Sequence, residues 1–164
     1  MNTGQMIMSM GAMILLSTIV LRVNTLNLTN ESIRDDAQYG VLATSIASSI
    51  IEEAQSKAFD ENTDTNSVSS LTKLSDVLGP ESGETEATFN DFDDYNGFTK
   101  RDSSMPSAVF NIYCEVVYVD PTDLGGFSTS RTWNKKINVM ITSPFATDTL
   151  ILKTSSIFSY WYFR

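Results

Sequence analysis

The 164-residue chain contains no histidine, which removes the commonest general base and the commonest neutral metal ligand. Cysteine occurs once, at Cys114, so neither an intrachain disulfide nor a cysteine-based zinc site can form. No GxSxG, P-loop, GxGxxG or haem-attachment motif is present, and none of the many serines has an activating partner in sequence. These absences point away from an enzyme. Positive charge is also scarce, with 11 Lys and Arg against 20 Asp and Glu, a net charge of -9 that disfavours nucleic acid as a partner. The acid is concentrated: residues 59–102 hold eleven Asp or Glu and three Lys or Arg.

The remaining absence is regional. No charged residue precedes Arg22, and residues 6–21 read MIMSMGAMILLSTIVL, apolar on every side of a helix. The run has no basic lead-in and no small-x-small cleavage pattern before Arg22, so it differs from an ordinary secretory signal. Its length matches the lower edge of what crosses a bilayer, about 17 to 25 residues. A membrane helix is the expected state before any assembly. Five methionines lie among the first thirteen residues, and Ser9, Gly11, Ala12, Ser17 and Thr18 are interleaved with the apolar side chains. Small residues let helices approach closely where lipid supplies no hydrophobic drive. The pattern therefore predicts a helix that packs against copies of itself.

Residues 23–31 (VNTLNLTNE) are rich in poor helix formers, and the helix is expected to thin or melt there. Asn27 and Asn30 begin two Asn-x-Ser/Thr glycosylation patterns. A second helix is predicted over residues 32–59, capped by Ser32, with Ile33, Ala37, Gly40, Ala43, Ala47, Ile50, Ala54 and Ala58 on one face. Residues 60–106 read as a loop region with one short helix over residues 68–78, stopped at Gly79-Pro80. Phe89, Phe92, Tyr95 and Phe98 are spaced through it as pins that hold an ordered loop.

A β-meander is predicted over residues 107–164. In residues 108–120 the core face carries Phe110, Ile112, Cys114, Val116 and Tyr118. In residues 131–142 it carries Trp133, Ile137, Val139 and Ile141, with Thr132, Asn134, Lys136 and Asn138 outward. A third strand covers residues 149–163 and ends in the aromatic run YWYF at residues 160–163. The fold class is thus α+β: a long N-terminal helix, apolar then amphipathic, packed on an antiparallel sheet of three to four strands. The expected division is a stem and joint over residues 1–31 and a globular domain over residues 32–164.

This layout resembles the type IV pilin family, which includes the pseudopilins. The resemblance rests on the apolar run 6–21, the polar interruption 23–31 and the amphipathic run 33–59. The stretches IIEEAQSKAFDE (residues 50–61) and DDYNGF (residues 93–98) look like pilin-like proteins of the Bacteroidota and Ignavibacteria. The chain departs from the family at its fifth residue, Gln5 where Glu is typical, or Ser9 if cleavage follows Gly4, and in having no proline near residue 22.

The resemblance implies a structural subunit of an extracellular filament, held in the cytoplasmic membrane until assembly motor and platform proteins polymerise it. A minor pilin and a membrane-anchored binding or sensor domain are the alternatives. The implied assembly interface is Gln5, Met6, Met10, Gly11, Met13, Ile14, Leu15, Leu16, Ile19, Val20 and Leu21. No cofactor is expected other than calcium, for which Asp91, Asp93, Asp94 and Asn96 are the candidate ligands. They offer hard oxygens beside a glycine turn, and some pseudopilins hold calcium in the corresponding loop region. The start of a second calcium-like loop at Asp60, Asn62 and Asp64 lacks its glycine and its closing glutamate.

Overall fold

The structure is a computed structural model and describes residues 2–105, 108–146 and 150–161. Helix α1 runs Thr3–Gln55. A single turn, α2, follows at Glu61–Asp64, and then strands β1 (Thr99–Met105), β2 (Ala108–Tyr118), β3 (Asn134–Thr142) and β4 (Leu150–Ser159). The chain packs as two units, Met1–Gln38 and Tyr39–Arg164.

In the first unit every described residue from Thr3 on is helical, including residues 23–31. The expected melting at that joint is not found. No proline interrupts the ladder, and Thr25 and Thr29 satisfy their hydroxyls within the helix by donating to the carbonyls of Leu21 and Thr25 at 2.9 Å each. The helix ends at Gln55, four residues earlier than residue 59. Beyond it the backbone turns into the loop region: Ala58 N donates to Asn90 O, and Phe92 N donates to Ala58 O.

The second unit is a four-stranded antiparallel sheet in the order β1-β2-β3-β4, covered by the last turns of α1. Ala43, Ala47 and Ala54 are fully buried, and their small side chains let the helix sit close above Phe110, Ile112, Cys114, Val116, Ile137, Val139 and Ile141. Cross-strand partners place these residues in one layer, with Ile112 opposite Ile141, Cys114 opposite Val139 and Val116 opposite Ile137. The predicted core faces of β2 and β3 are both present, although Trp133 lies just before β3 and is half-buried against Tyr160.

Three local expectations are corrected. The loop region contains strand β1, whose sequence TKRDSSM has no apolar alternation; it forms because its backbone pairs with residues 108–113 at the sheet edge. The helix expected over residues 68–78 is only a 3-10 turn at Leu71–Lys73. Asp60 accepts from Ser75 N, and the Tyr118 hydroxyl donates to Ser75 O at 2.9 Å, which holds that backbone extended. Lys136, expected outward, is almost fully buried with its ammonium donating to the carbonyls of Leu124, Gly125 and Gly126. Of the terminal aromatic run, Tyr160 packs against Phe59 and Trp133, Trp161 is exposed, and residues 162 and 163 lie outside the described residues.

Candidate functional site

The expected assembly residues all lie on α1 in the first unit. Gln5, Met6, Met10, Gly11, Met13, Ile14, Leu15, Leu16, Ile19, Val20 and Leu21 are exposed, and the most apolar 18-residue window of this helix has none of its residues buried. That window is long and apolar enough to cross a membrane. Ser9 and Thr18 donate their hydroxyls to the carbonyls of Met6 and Leu15, so neither brings an unpaired donor to the apolar surface. A side chain built onto Gly11 would meet nothing within 4 Å in the single chain. Asn27 and Asn30 also sit on exposed turns of this helix.

The candidate calcium ligands lie together in one buried loop, where some of their oxygens are engaged by protein donors and others are not. A 3-10 turn at Asp93–Tyr95 buries Asp91, Asp93 and Asp94, each about 1% exposed. Asp91 Oδ1 accepts from the backbone amides of Asp93 and Asp94, and Asp94 Oδ2 accepts from those of Asn90 and Asp91. Asn96 bridges the loop to the sheet: its amide donates to Leu78 O, and its Oδ1 accepts from Val116 N, both at 2.9 Å. Gly97 follows at φ 78°, the left-handed conformation that turns the chain into β1. The aromatics hold this loop as expected, with Phe89, Tyr95 and Phe98 in mutual edge contact and Phe92 against Phe158.

Among the described residues, a different trio brings carboxylate oxygens within 4.8 Å of one another: Glu81, Glu84 and Asp94. These three are the ones close enough to share a cation or a proton. Burial and the neighbouring Glu84 push the Glu81 carboxyl up to about 7. Burial, with the charges of Asp93 and Asp94, pushes Asp91 up to about 8. Asp91 Oδ2 and Asp94 Oδ1 are buried without a hydrogen-bond partner.

The feature missed in the sequence is Lys135. It is fully buried, and its ammonium donates to Phe59 O at 2.8 Å, to Asp60 Oδ2 at 2.9 Å and to Asp93 Oδ1. The rings of Phe59 and Tyr118 flank it, with centroids 4.7 and 5.4 Å from Nζ. Asp60 caps α2 and also accepts from the amides of Asn62 and Ser75 and from the Ser75 hydroxyl. Burial alone would raise the Asp60 carboxyl, but the Lys135 charge and these hydrogen bonds hold it below the usual carboxylate range. The signal was available: stepping back two residues from Ile137 puts Lys135 on the core face, and a lysine there needs an acid from the 60–94 region.

The chain matches no protein-family model, no curated protein and no solved structure.

Proposed function

We propose that this protein is a non-enzymatic structural subunit of an extracellular, type IV pilus-like filament that polymerises through its N-terminal helix. One observation carries the reading: the apolar stretch of α1 is continuous, uncharged and wholly unburied in the single chain. A monomeric soluble protein rarely leaves so large an apolar surface open. Lipid covers it before assembly, and the same stretch of other copies covers it afterwards. The small residues at Ser9, Gly11 and Ala12 favour helix-to-helix contact over simple anchoring, because open space at Gly11 admits a neighbouring backbone. Assembly would draw the helix from the membrane by a motor and platform complex.

Residues 6–21 carry no charged side chain, so register in the filament comes from packing shape and not from an ion pair within that stretch.

The test is electron microscopy of material sheared from the cell surface, with antibody labelling of the domain. Labelled thin filaments support the proposal. Label confined to the membrane fraction, with no filaments, favours a single-pass anchored domain and overturns it.

A further inference from the structure

We propose that Lys135 and Asp93 become joined by a spontaneous isopeptide bond that links strand β3 covalently to the acidic loop. The proposal concerns the domain alone and does not rest on the filament reading.

The geometry has the elements this reaction needs. Lys135 Nζ touches the Asp93 carboxylate and lies 2.9 Å from a second carboxylate, Asp60. All three side chains are at most 1% exposed. The walls are the rings of Phe59 and Tyr118, and Phe92 is adjacent in sequence and fully buried. One ammonium faces two carboxylates, so a neutral cluster requires one acid to carry a proton. Asp60 is committed to the amides of Asn62 and Ser75 and to the Ser75 hydroxyl, which leaves Asp93 as the carboxyl presented to Nζ for attack. Holding nucleophile and electrophile in contact is equivalent to an effective concentration of about 10⁵ M or more.

The step balances without a co-reactant. The Lys135 ammonium gives one proton to the Asp60 carboxylate. The resulting amine attacks Cγ of protonated Asp93, with Asp60 shuttling protons. The Nζ–Cγ bond forms, the Cγ–OH bond breaks, and the hydroxyl leaves as water with a second hydrogen from Nζ. One hydrogen remains on the amide nitrogen and one on Asp60. Asp93 supplies the carbonyl and Asp60 is the proton carrier. Asp91 shapes the turn through the Asp93 amide, which donates to its Oδ1 at 2.8 Å.

A cross-link here would tie residues 93 and 135, distant in sequence, at the point where loop, α2 and sheet meet. The test is mass spectrometry of the full-length folded protein, intact under denaturing conditions and then after proteolysis. The expected result is a mass lower by one water and a branched peptide joining the segments that contain Lys135 and Asp93. Asp60→Ala should restore the full mass while Lys135 and Asp93 are both still present. Separate linear peptides with unmodified Lys135 and Asp93 in the folded wild-type chain would overturn the proposal, as would a branch from Lys135 to Asp60. The wild-type measurement decides even if the Asp60 variant does not fold.

Discussion

Replacing Leu16 with aspartate separates the role of the stem from the stability of the domain. Leu16 is 63% exposed and belongs to the unit Met1–Gln38, whereas the core residues belong to Tyr39–Arg164. A surface substitution away from packing features changes stability by about 0.5 kcal/mol or less. The thermal midpoint of the domain should therefore stay where it is. In an apolar helix environment the same change is severe. Leucine at the centre of a membrane helix is favourable by about 0.3 to 0.6 kcal/mol and aspartate unfavourable by about 2.5 to 3.5, a difference of roughly 3 to 4 kcal/mol. That corresponds to a factor of about 10² to 10³ per subunit, and in a filament each subunit meets several altered neighbours. The assay pairs thermal melting of purified protein with electron microscopy of sheared surface material and membrane fractionation. The expected result is an unchanged midpoint and no filaments. Normal filaments from Leu16→Asp would refute the argument that this surface is buried in assembly. An unfolded domain would refute the independence of the two units.

Other consequences are measured on the domain. Asn96→Ala removes the bridge from Leu78 O to Val116 N and orphans a buried amide, which should cost about 1 to 3 kcal/mol and lower the thermal midpoint by several degrees; an unchanged midpoint contradicts the bridging role. Stability should depend on pH. Asp91 is raised from its ordinary 3.8 to about 8, so the folded chain holds a proton that the unfolded chain has lost across that window, and stability falls as pH rises through it. Asp60, shifted down, acts in the opposite sense and withdraws its contribution only as pH drops below the ordinary carboxylate range. The midpoint should thus be highest in mildly acidic solution, and Asp91→Asn should flatten the fall toward pH 8; a midpoint that rises from pH 5 to 8 excludes this. Burial pushes the Cys114 thiol up to about 12, so it should resist maleimide until denaturant is added. Rapid labelling of the native chain would contradict its place in the core.

Much of the fold was legible because hydrophobic periodicity reports burial directly. The alternation at Phe110, Ile112, Cys114 and Val116, and at Ile137, Val139 and Ile141, reads out the two central strands, which are buried on one face. The small residues Ala43, Ala47 and Ala54 likewise mark the helix face that lies on the sheet. Strand β1 was illegible because an edge strand with both faces polar owes its existence to backbone pairing, which composition does not record. The joint at residues 23–31 misled because propensity is a weak prior and threonine can bond within a helix as well as against it.

At the acidic loop, composition reported oxygens close in sequence but not their directions. Those directions are set by Lys135 and by the backbone amides of residues 90, 91, 93 and 94. A lysine in an alternating strand reads as a solvated position unless the core face is counted back from Ile137. The stem is the reverse case: residues 6–21 are plain in sequence, and the single chain leaves them with nothing to cover them.

The claim that the stem is an interface between copies is tested most directly by helical reconstruction of filaments sheared from cells that carry this protein. The account predicts residues 6–21 of neighbouring copies in van der Waals contact along the filament axis, with Gly11 at a close helix approach. A reconstruction that places the stem away from other stems, or the finding of this chain only as dispersed copies in the membrane, would contradict it.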